Sequence, residues 1–136
     1  GFQTMNNEIP IELSLLIWTA ALTILQMLVS ALGSISQIGL TTLAGNRDNL
    51  TETTGWASRA QRAHRNMLES IAVFAILVMS AHHLNISNDM TVLGAQLFFW
   101  GRVAFSIIYI AGIPWVRTAA WGVSLVGLIL IFFQLI

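Results

Sequence analysis

The sequence contains no cysteine and no lysine, and it is poor in charge of either sign. Without cysteine the chain has no disulfide, no thiolate metal site and no thiol nucleophile of its own, so any sulfur chemistry must use a sulfur atom of the substrate. Charged residues make up 9% of the 136 residues, whereas a typical soluble domain has about 25%. This scarcity excludes a soluble enzyme, a nucleic-acid-binding protein and a disordered chain.

Hydrophobic residues make up 56% of the chain. They are concentrated in four segments, at about 10–40, 56–83, 90–112 and 114–136. A membrane-spanning helix needs about 20 apolar residues, and a backbone in lipid must form either helices or a closed barrel. The segments lack the alternation of polar and apolar residues that barrel strands show. We therefore predict an all-α membrane protein with a four-transmembrane-helix bundle.

The chain divides into one domain and a short leading stretch. Residues 1–4 precede Met5 and fit no predicted element, so we expect them to be an added remnant, and residues 5–136 to form a single domain without a cleavable targeting segment. Pro10 suits the first turn of a helix. The polar stretch 41–55 is typical of a loop, and Gly112-Ile113-Pro114 is typical of a tight connection.

The arginines predict the orientation in the membrane. Four of them lie in or beside the first connection and one lies at the third, namely Arg47, Arg59, Arg62, Arg65 and Arg117. The positive-inside rule therefore places these two connections in the cytoplasm and both termini on the other side. The short loops favour a bacterial inner membrane over an endoplasmic reticulum.

The start of the second helix carries a polar stripe. Arg62, Asn66 and Glu69 are spaced i, i+4 and i+7, so they share one face of a helix, and Arg65 flanks them. Arginines at a helix end often anchor it at the lipid headgroups, which is the simpler interpretation. Glu69, however, is too short to reach far toward water and directly precedes a long apolar run, so it indicates a functional site.

Arg102 and Tyr109 are also seven residues apart, on one face of the third helix. Arg102 lies close to mid-membrane, where an unpaired arginine costs several kcal/mol. We expect Glu69 to be its partner, and a purely structural ion pair is the alternative to a functional one. Tyr109 taken alone is equally typical of the interfacial aromatic belt.

Arg117 and Thr118 lie at the predicted start of the fourth helix. Backbone N–H groups point outward there, so an arginine beside a hydroxyl is suited to hold an anion or polarise a thiol. A plain topology anchor is the alternative. His82 and His83 are adjacent and face different directions, so we predict no metal site.

Together these residues resemble a known family. The motif Arg62-Ala63-His64-Arg65-Asn66-x-x-Glu69 resembles the signature of the MAPEG family, the membrane-associated proteins in eicosanoid and glutathione metabolism. Gly101-Arg102-Val103-Ala104, Tyr109 and Arg117 resemble the family's pattern in the third and fourth helices. The likeness extends over nearly the whole chain in length and helix number, and it includes bacterial members and prostaglandin E synthases.

The resemblance implies a homotrimer that binds glutathione between neighbouring protomers near the cytoplasmic face. Arg62 or Arg65, Asn66 and Glu69 would hold the glutathione backbone, with Glu69 at its ammonium group. By the same resemblance, Arg102 would support Glu69 and Tyr109 would hydrogen-bond the peptide. Arg117 would stabilise the thiolate with help from Thr118. The missing cysteine fits, because the nucleophile arrives with glutathione.

Two positions depart from the family pattern. Catalytic relatives often have an arginine near the end of the first helix, where this chain has Gln37. Relatives also often have a polar ring four residues before the third-helix tyrosine, where this chain has Phe105. Either change is expected to weaken glutathione binding or alter its pose, so both bear on catalysis more than on fold.

The leading hypothesis is therefore a glutathione-dependent membrane transferase or peroxidase that acts on lipophilic electrophiles or lipid hydroperoxides reaching it from the bilayer. One alternative is a non-catalytic, lipid-binding member of the same family, of the kind that activates five-lipoxygenase. The other is a small four-helix exporter with Glu69 in its cavity. Retention of the family residues argues against the lipid-binding protein, and the lack of an internal repeat argues against the exporter.

Overall fold

The computed structural model describes residues 9–39, 43, 45 and 53–136. In that part of the chain it has four long α-helices and no β-strand. The helices are α1 (Ile11–Gln37), α2 (Gly55–His83), α3 (Asp89–Ala111) and α4 (Pro114–Leu135). Each is long and apolar enough to cross a membrane, so the predicted four-helix architecture is confirmed. Residues 1–4 and most of the predicted loop, with Arg47, lie outside the described residues.

Local signals set the ends of these helices. Pro10 is extended (φ −61°, ψ 149°) and directly precedes α1. Asn88 and Thr91 form a reciprocal capping box at the start of α3, which satisfies backbone N–H groups that have no partner inside the helix. Gly112 ends α3 in the left-handed conformation (φ +84°), which glycine adopts without strain. Pro114 then occupies the first position of α4, where its missing N–H costs nothing.

Helices α3 and α4 are packed backbone against backbone. A Cβ atom on Gly94 would lie 2.6 Å from the carbonyl oxygen of Gly127, and one on Gly101 would lie 2.9 Å from the backbone nitrogen of Ser124. Only glycine allows this approach, and small residues serve the same purpose in membrane helix pairs generally. The close pairing brings the end of α3 and the start of α4 together.

Helix α1 buries a polar face and exposes an apolar one. Its buried residues are Glu12, Thr19, Thr23, Gln26, Gly33 and Ser34. The Gln26 amide donates to the hydroxyl of Ser106 in α3, and the Gln61 amide of α2 donates to the hydroxyl of Ser34. The side chains on the outer surface are large and apolar, as Trp18 (60% exposed) illustrates. This distribution suits a surrounding lipid phase.

The helices are arranged so that α1 is antiparallel to α2 and parallel to α3. Gly33 of α1 packs against Ala57 near the start of α2, and Glu12 accepts a hydrogen bond of 2.7 Å from the Thr91 hydroxyl near the start of α3. We call the end of the bundle formed by the end of α1, the start of α2, the end of α3 and the start of α4 the arginine end. The predicted stripe of α2 lies there.

An aromatic core lies toward the other half of the bundle. Phe74 of α2 and Phe98 of α3 stack with ring centroids 4.2 Å apart, and both are fully buried. Val78, Ala95 and Ile131 complete the buried cluster. This core holds α2, α3 and α4 together away from the arginine end, where polar contacts predominate.

Candidate functional site

Tyr109 is the centre of a polar cluster at the arginine end. Arg62 of α2 donates from Nε to the Tyr109 hydroxyl oxygen at 3.2 Å and from Nη1 to the Ser58 hydroxyl at 2.7 Å. Arg117 of α4 lies over the Tyr109 ring, with its Cζ 4.4 Å from the ring centroid. A guanidinium at this distance from an aromatic face is attracted by the ring quadrupole. Three helices thus supply one constellation.

A further arginine fixes the connection that carries Arg117. Arg59 Nε donates to the Ile110 carbonyl oxygen at 2.9 Å, and its guanidinium lies against Gly112. Carbonyl groups in the last turn of a helix have no partner within the helix, and a cation is favoured there. Arg59 therefore caps α3 and holds the turn between α3 and α4.

Asn66 and Glu69, which their spacing put on one face of α2, line an open cleft between α2 and α4, whereas Arg62 of the same predicted stripe is not among its lining residues. The cleft has a volume of about 170 Å³. Its other lining residues are Ser70 from α2 and Trp121, Ser124, Leu125 and Leu128 from α4. The Oδ1 atom of Asn66 is buried and has no hydrogen-bond partner within the described part of the chain. The cleft therefore has a carboxylate beside an apolar wall, and the unpartnered amide oxygen of Asn66 is buried next to it.

The expected ion pair between Arg102 and Glu69 is not formed in the protomer. Arg102 is fully buried, and none of its guanidinium nitrogens has a hydrogen-bond partner among the described residues. Glu69 instead lies exposed in the cleft. The pairing was wrong because residue spacing places side chains on a face of their own helix but does not fix how two helices are rotated toward each other.

The remaining predicted site residues lie at or near the same end. Arg65 is exposed. The Gln37 amide both donates to the Thr54 carbonyl and accepts from the Thr54 N–H, each at 2.8 Å, so it joins the end of α1 to the start of α2. The Thr118 hydroxyl makes a long contact of 3.5 Å with the Pro114 carbonyl oxygen, which leaves it nearly free.

Two sets of contacts at the site were not predicted from the sequence. Phe105 packs between Arg102 and Tyr109, with its ring centroid 4.4 Å from the Arg102 Cζ and 5.3 Å from the Tyr109 ring centroid. Gln26 and Ser106 hydrogen-bond beside this group, and Gln26 Oε1 has no partner within the described residues. The repeated polar positions of α1 were the available signal, because Thr19, Thr23 and Gln26 recur at helical spacing.

This arrangement suits a ligand with several charges. Arg62 and Arg117 meet at Tyr109, which favours anionic groups there, and Glu69 in the cleft offers a carboxylate to a cationic group. Glu69 and Leu125, which line the cleft, are exposed.

Comparison with known proteins identifies the family. The chain matches the model of the MAPEG family over residues 15–136, which covers nearly all of the four helices. No curated protein and no solved structure matches it. Because the match extends over nearly the whole chain and agrees with the four apolar helices, this protein belongs to the MAPEG family.

Proposed function

We propose that this protein is a glutathione-dependent membrane transferase or peroxidase that acts on lipophilic electrophiles or lipid hydroperoxides. The observation that carries the proposal is the convergence of Arg62 and Arg117 on Tyr109. Arginines held this close by a single aromatic ring repel each other, and an anionic ligand relieves that repulsion. Family membership makes glutathione the first choice of ligand.

The chemistry of glutathione fits the groups that the site offers. The tripeptide carries two carboxylates, one ammonium group and amide donors. Guanidinium groups match carboxylates because their N–H donors can pair with both oxygens. Glu69 suits the ammonium group, and the unpartnered Oδ1 of Asn66 suits an amide N–H. Arg62, Arg65 and Tyr109 would then hold the peptide, and Arg102, which is buried without ligand, would bind a carboxylate once the entering ligand exposes its N–H groups.

Arg117 is the residue that we propose for the chemistry. Glutathione supplies the thiol nucleophile that this cysteine-free chain lacks. A guanidinium beside a thiol favours the thiolate, because the charged form is stabilised by an opposite charge. Arg117 stands at the start of α4, where the helix dipole adds to this effect. Thr118 has a nearly free hydroxyl next to it and would donate to the sulfur.

The apolar surroundings determine which electrophile reaches the site. The cleft beside Glu69 is lined by Leu125 and Leu128, and Trp115 at the start of α4 is 85% exposed. A lipophilic substrate would therefore arrive from the bilayer, between helices. The exposed positions of Arg65 and Glu69 leave room for a neighbouring protomer of a homotrimer to close the site. By the positive-inside rule the arginine end lies in the cytoplasm.

A second candidate is a lipid-binding protein without activity. It is favoured by the position of Gln37, whose amide is fully engaged with the Thr54 backbone and so does not replace the arginine of catalytic relatives. Such a protein would bind a lipid in the cleft and show no turnover with glutathione.

Conjugation of glutathione to a chlorodinitrobenzene by the detergent-purified protein tests the proposal. We expect turnover above the protein-free rate and thermal stabilisation by millimolar glutathione. Arg117→Ala should abolish turnover and keep the stabilisation, because this residue acts on the sulfur more than on the peptide. Arg117→Lys, which keeps the charge, should retain part of the turnover. Absence of both turnover and stabilisation in the unmodified protein would contradict the proposal.

A further inference from the structure

Three side chains of α3 form a continuous stack at the arginine end. Arg102, Phe105 and Tyr109 are spaced i, i+3 and i+7, so they follow one face of the helix. The Arg102 Cζ lies 4.4 Å from the Phe105 ring centroid. The Phe105 and Tyr109 rings meet at 60° with centroids 5.3 Å apart, an edge-to-face geometry. Arg117 covers the Tyr109 ring at 4.4 Å, so a cation lies at each end.

Phe105 contacts the Arg102 guanidinium without forming a hydrogen bond to it. This guanidinium is fully buried and none of its nitrogens is hydrogen-bonded within the described residues. The ring face attracts the cation without accepting any of its N–H groups. A hydrogen-bonding side chain at position 105 would instead occupy one or more donors. Phe105 therefore holds the buried Arg102 side chain in place and leaves its N–H groups without a hydrogen-bond partner in the described residues.

The contact with Phe105 also restricts the Tyr109 ring. The hydroxyl oxygen of Tyr109 accepts from Arg62, and its ring face contacts Arg117. The plane of the ring therefore determines where these two guanidinium groups lie. Phe105 is 4% exposed and packs against that ring, so it limits the rotation of Tyr109 about its side-chain bonds.

We propose that Phe105 is a positioning residue of the glutathione site, which holds Arg102 with its donors free and sets the orientation of Tyr109 toward Arg62 and Arg117. This inference rests on the proposed function. In this chain, ring contacts and not hydrogen bonds connect position 105 to Arg102 and Tyr109.

The chain offers a direct probe, because Tyr109 is its only tyrosine. Protein labelled with fluorotyrosine will give one fluorine NMR resonance, which reports this ring in the absence of ligand. Phe105→Leu and Phe105→Met remove the ring face and should shift or broaden the resonance. Glutathione should bind these variants about 5- to 20-fold more weakly. This is the loss of affinity expected when one cation–π contact and one aromatic contact are removed. Phe105→Trp keeps an aromatic ring face, brings no hydrogen-bond acceptor and adds no second tyrosine, so it should retain more of both the unmodified resonance and the glutathione affinity than Phe105→Leu.

Phe98→Leu is the matched control. Phe98 lies on the same helix, is fully buried and stacks on Phe74, so its loss should lower stability without changing the Tyr109 resonance or glutathione affinity. An unchanged resonance and affinity in Phe105→Leu and Phe105→Met would overturn the inference, and so would an equal effect of Phe98→Leu. If the unmodified protein does not bind glutathione, the proposed function fails, and the resonance still decides whether Phe105 orients Tyr109.

Discussion

Replacing Arg102 with methionine should make the protomer more stable while weakening its binding of glutathione. The guanidinium is fully buried and unpartnered by hydrogen bonds in the described residues. Placing an arginine at the centre of a membrane helix costs about 2.5–3.5 kcal/mol on insertion scales. A desolvated cation–π contact such as that with Phe105 offsets about 2 kcal/mol of this cost. Methionine avoids the cost and still packs on the ring.

The difference between these terms gives the expected magnitudes. The free energy of unfolding should rise by about 1 kcal/mol, which corresponds to roughly 3 °C in Tm for a domain of this size. Hydrogen bonds to a charged group contribute about 1.5–3 kcal/mol each, so the loss of Arg102 should weaken glutathione binding about 10- to 100-fold. The two effects have opposite signs, which a merely structural arginine would not produce.

Tryptophan fluorescence is a suitable assay, because the chain has five tryptophans and no cysteine for thiol-reactive dyes. Thermal unfolding in detergent would be recorded with and without glutathione for the unmodified protein, Arg102→Met and Arg102→Lys. The lysine variant keeps the charge and loses the fork of donors, so it should be less stable than Arg102→Met and bind weakly. A lower Tm for Arg102→Met would show that the guanidinium has a stabilising partner, and unchanged glutathione affinity would refute its role in binding.

Three further predictions follow from the packing and the cleft. Gly127→Ala should lower the free energy of unfolding by about 2 kcal/mol or more, because the new methyl group would meet the backbone of α3. Gly122 has open space around it, so Gly122→Ala should leave the Tm unchanged in the same thermal assay. Thr91→Val should lower it by about 1–2 kcal/mol, since it removes both the bond to Glu12 and the capping box; an unchanged Tm would contradict this. Glu69→Gln should weaken glutathione binding strongly without lowering Tm, because the carboxylate lies in an open cleft; equal affinity would exclude it from the site.

The sequence was sufficient to predict the helices. Long apolar runs fixed their number, and Pro10, Gly112 and Pro114 fixed their ends to within about one turn at most. The observed ends, such as Ile11–Gln37 against the expected 10–40, differ little. Helix length and helix ends depend on residues that are close together in the sequence, so they can be predicted without knowing the tertiary contacts.

Contacts between helices were harder to predict. The spacing correctly put Asn66 and Glu69 on one face, yet it paired Glu69 with Arg102, which the structure keeps apart. The relative rotation of α2 and α3 depends on packing between rings such as Phe74 and Phe98, and no spacing within one helix reveals it. Phe105 was recognised as a departure from the family pattern, but its contacts with Arg102 and Tyr109 were not predicted, although the three residues share one face of α3.

The polar face of α1 shows a different limit. Glu12 and Gln26 lie in a segment that is apolar as a whole. The total hydropathy of a segment does not indicate which face of the helix is buried. In a membrane the inside of a bundle holds the polar groups. A search of each span for polar residues at helical spacing would have indicated that Gln26 faces Ser106.

Equilibrium dialysis of the purified protein against millimolar glutathione tests the central claim most directly. The chain has no cysteine, so a thiol-reactive chromophore measures glutathione without background from the protein. We expect saturable binding that Arg62→Ala or Glu69→Gln weakens and that Phe98→Leu leaves unchanged. Binding that does not saturate, or that is indifferent to Arg62 and Glu69, would contradict it.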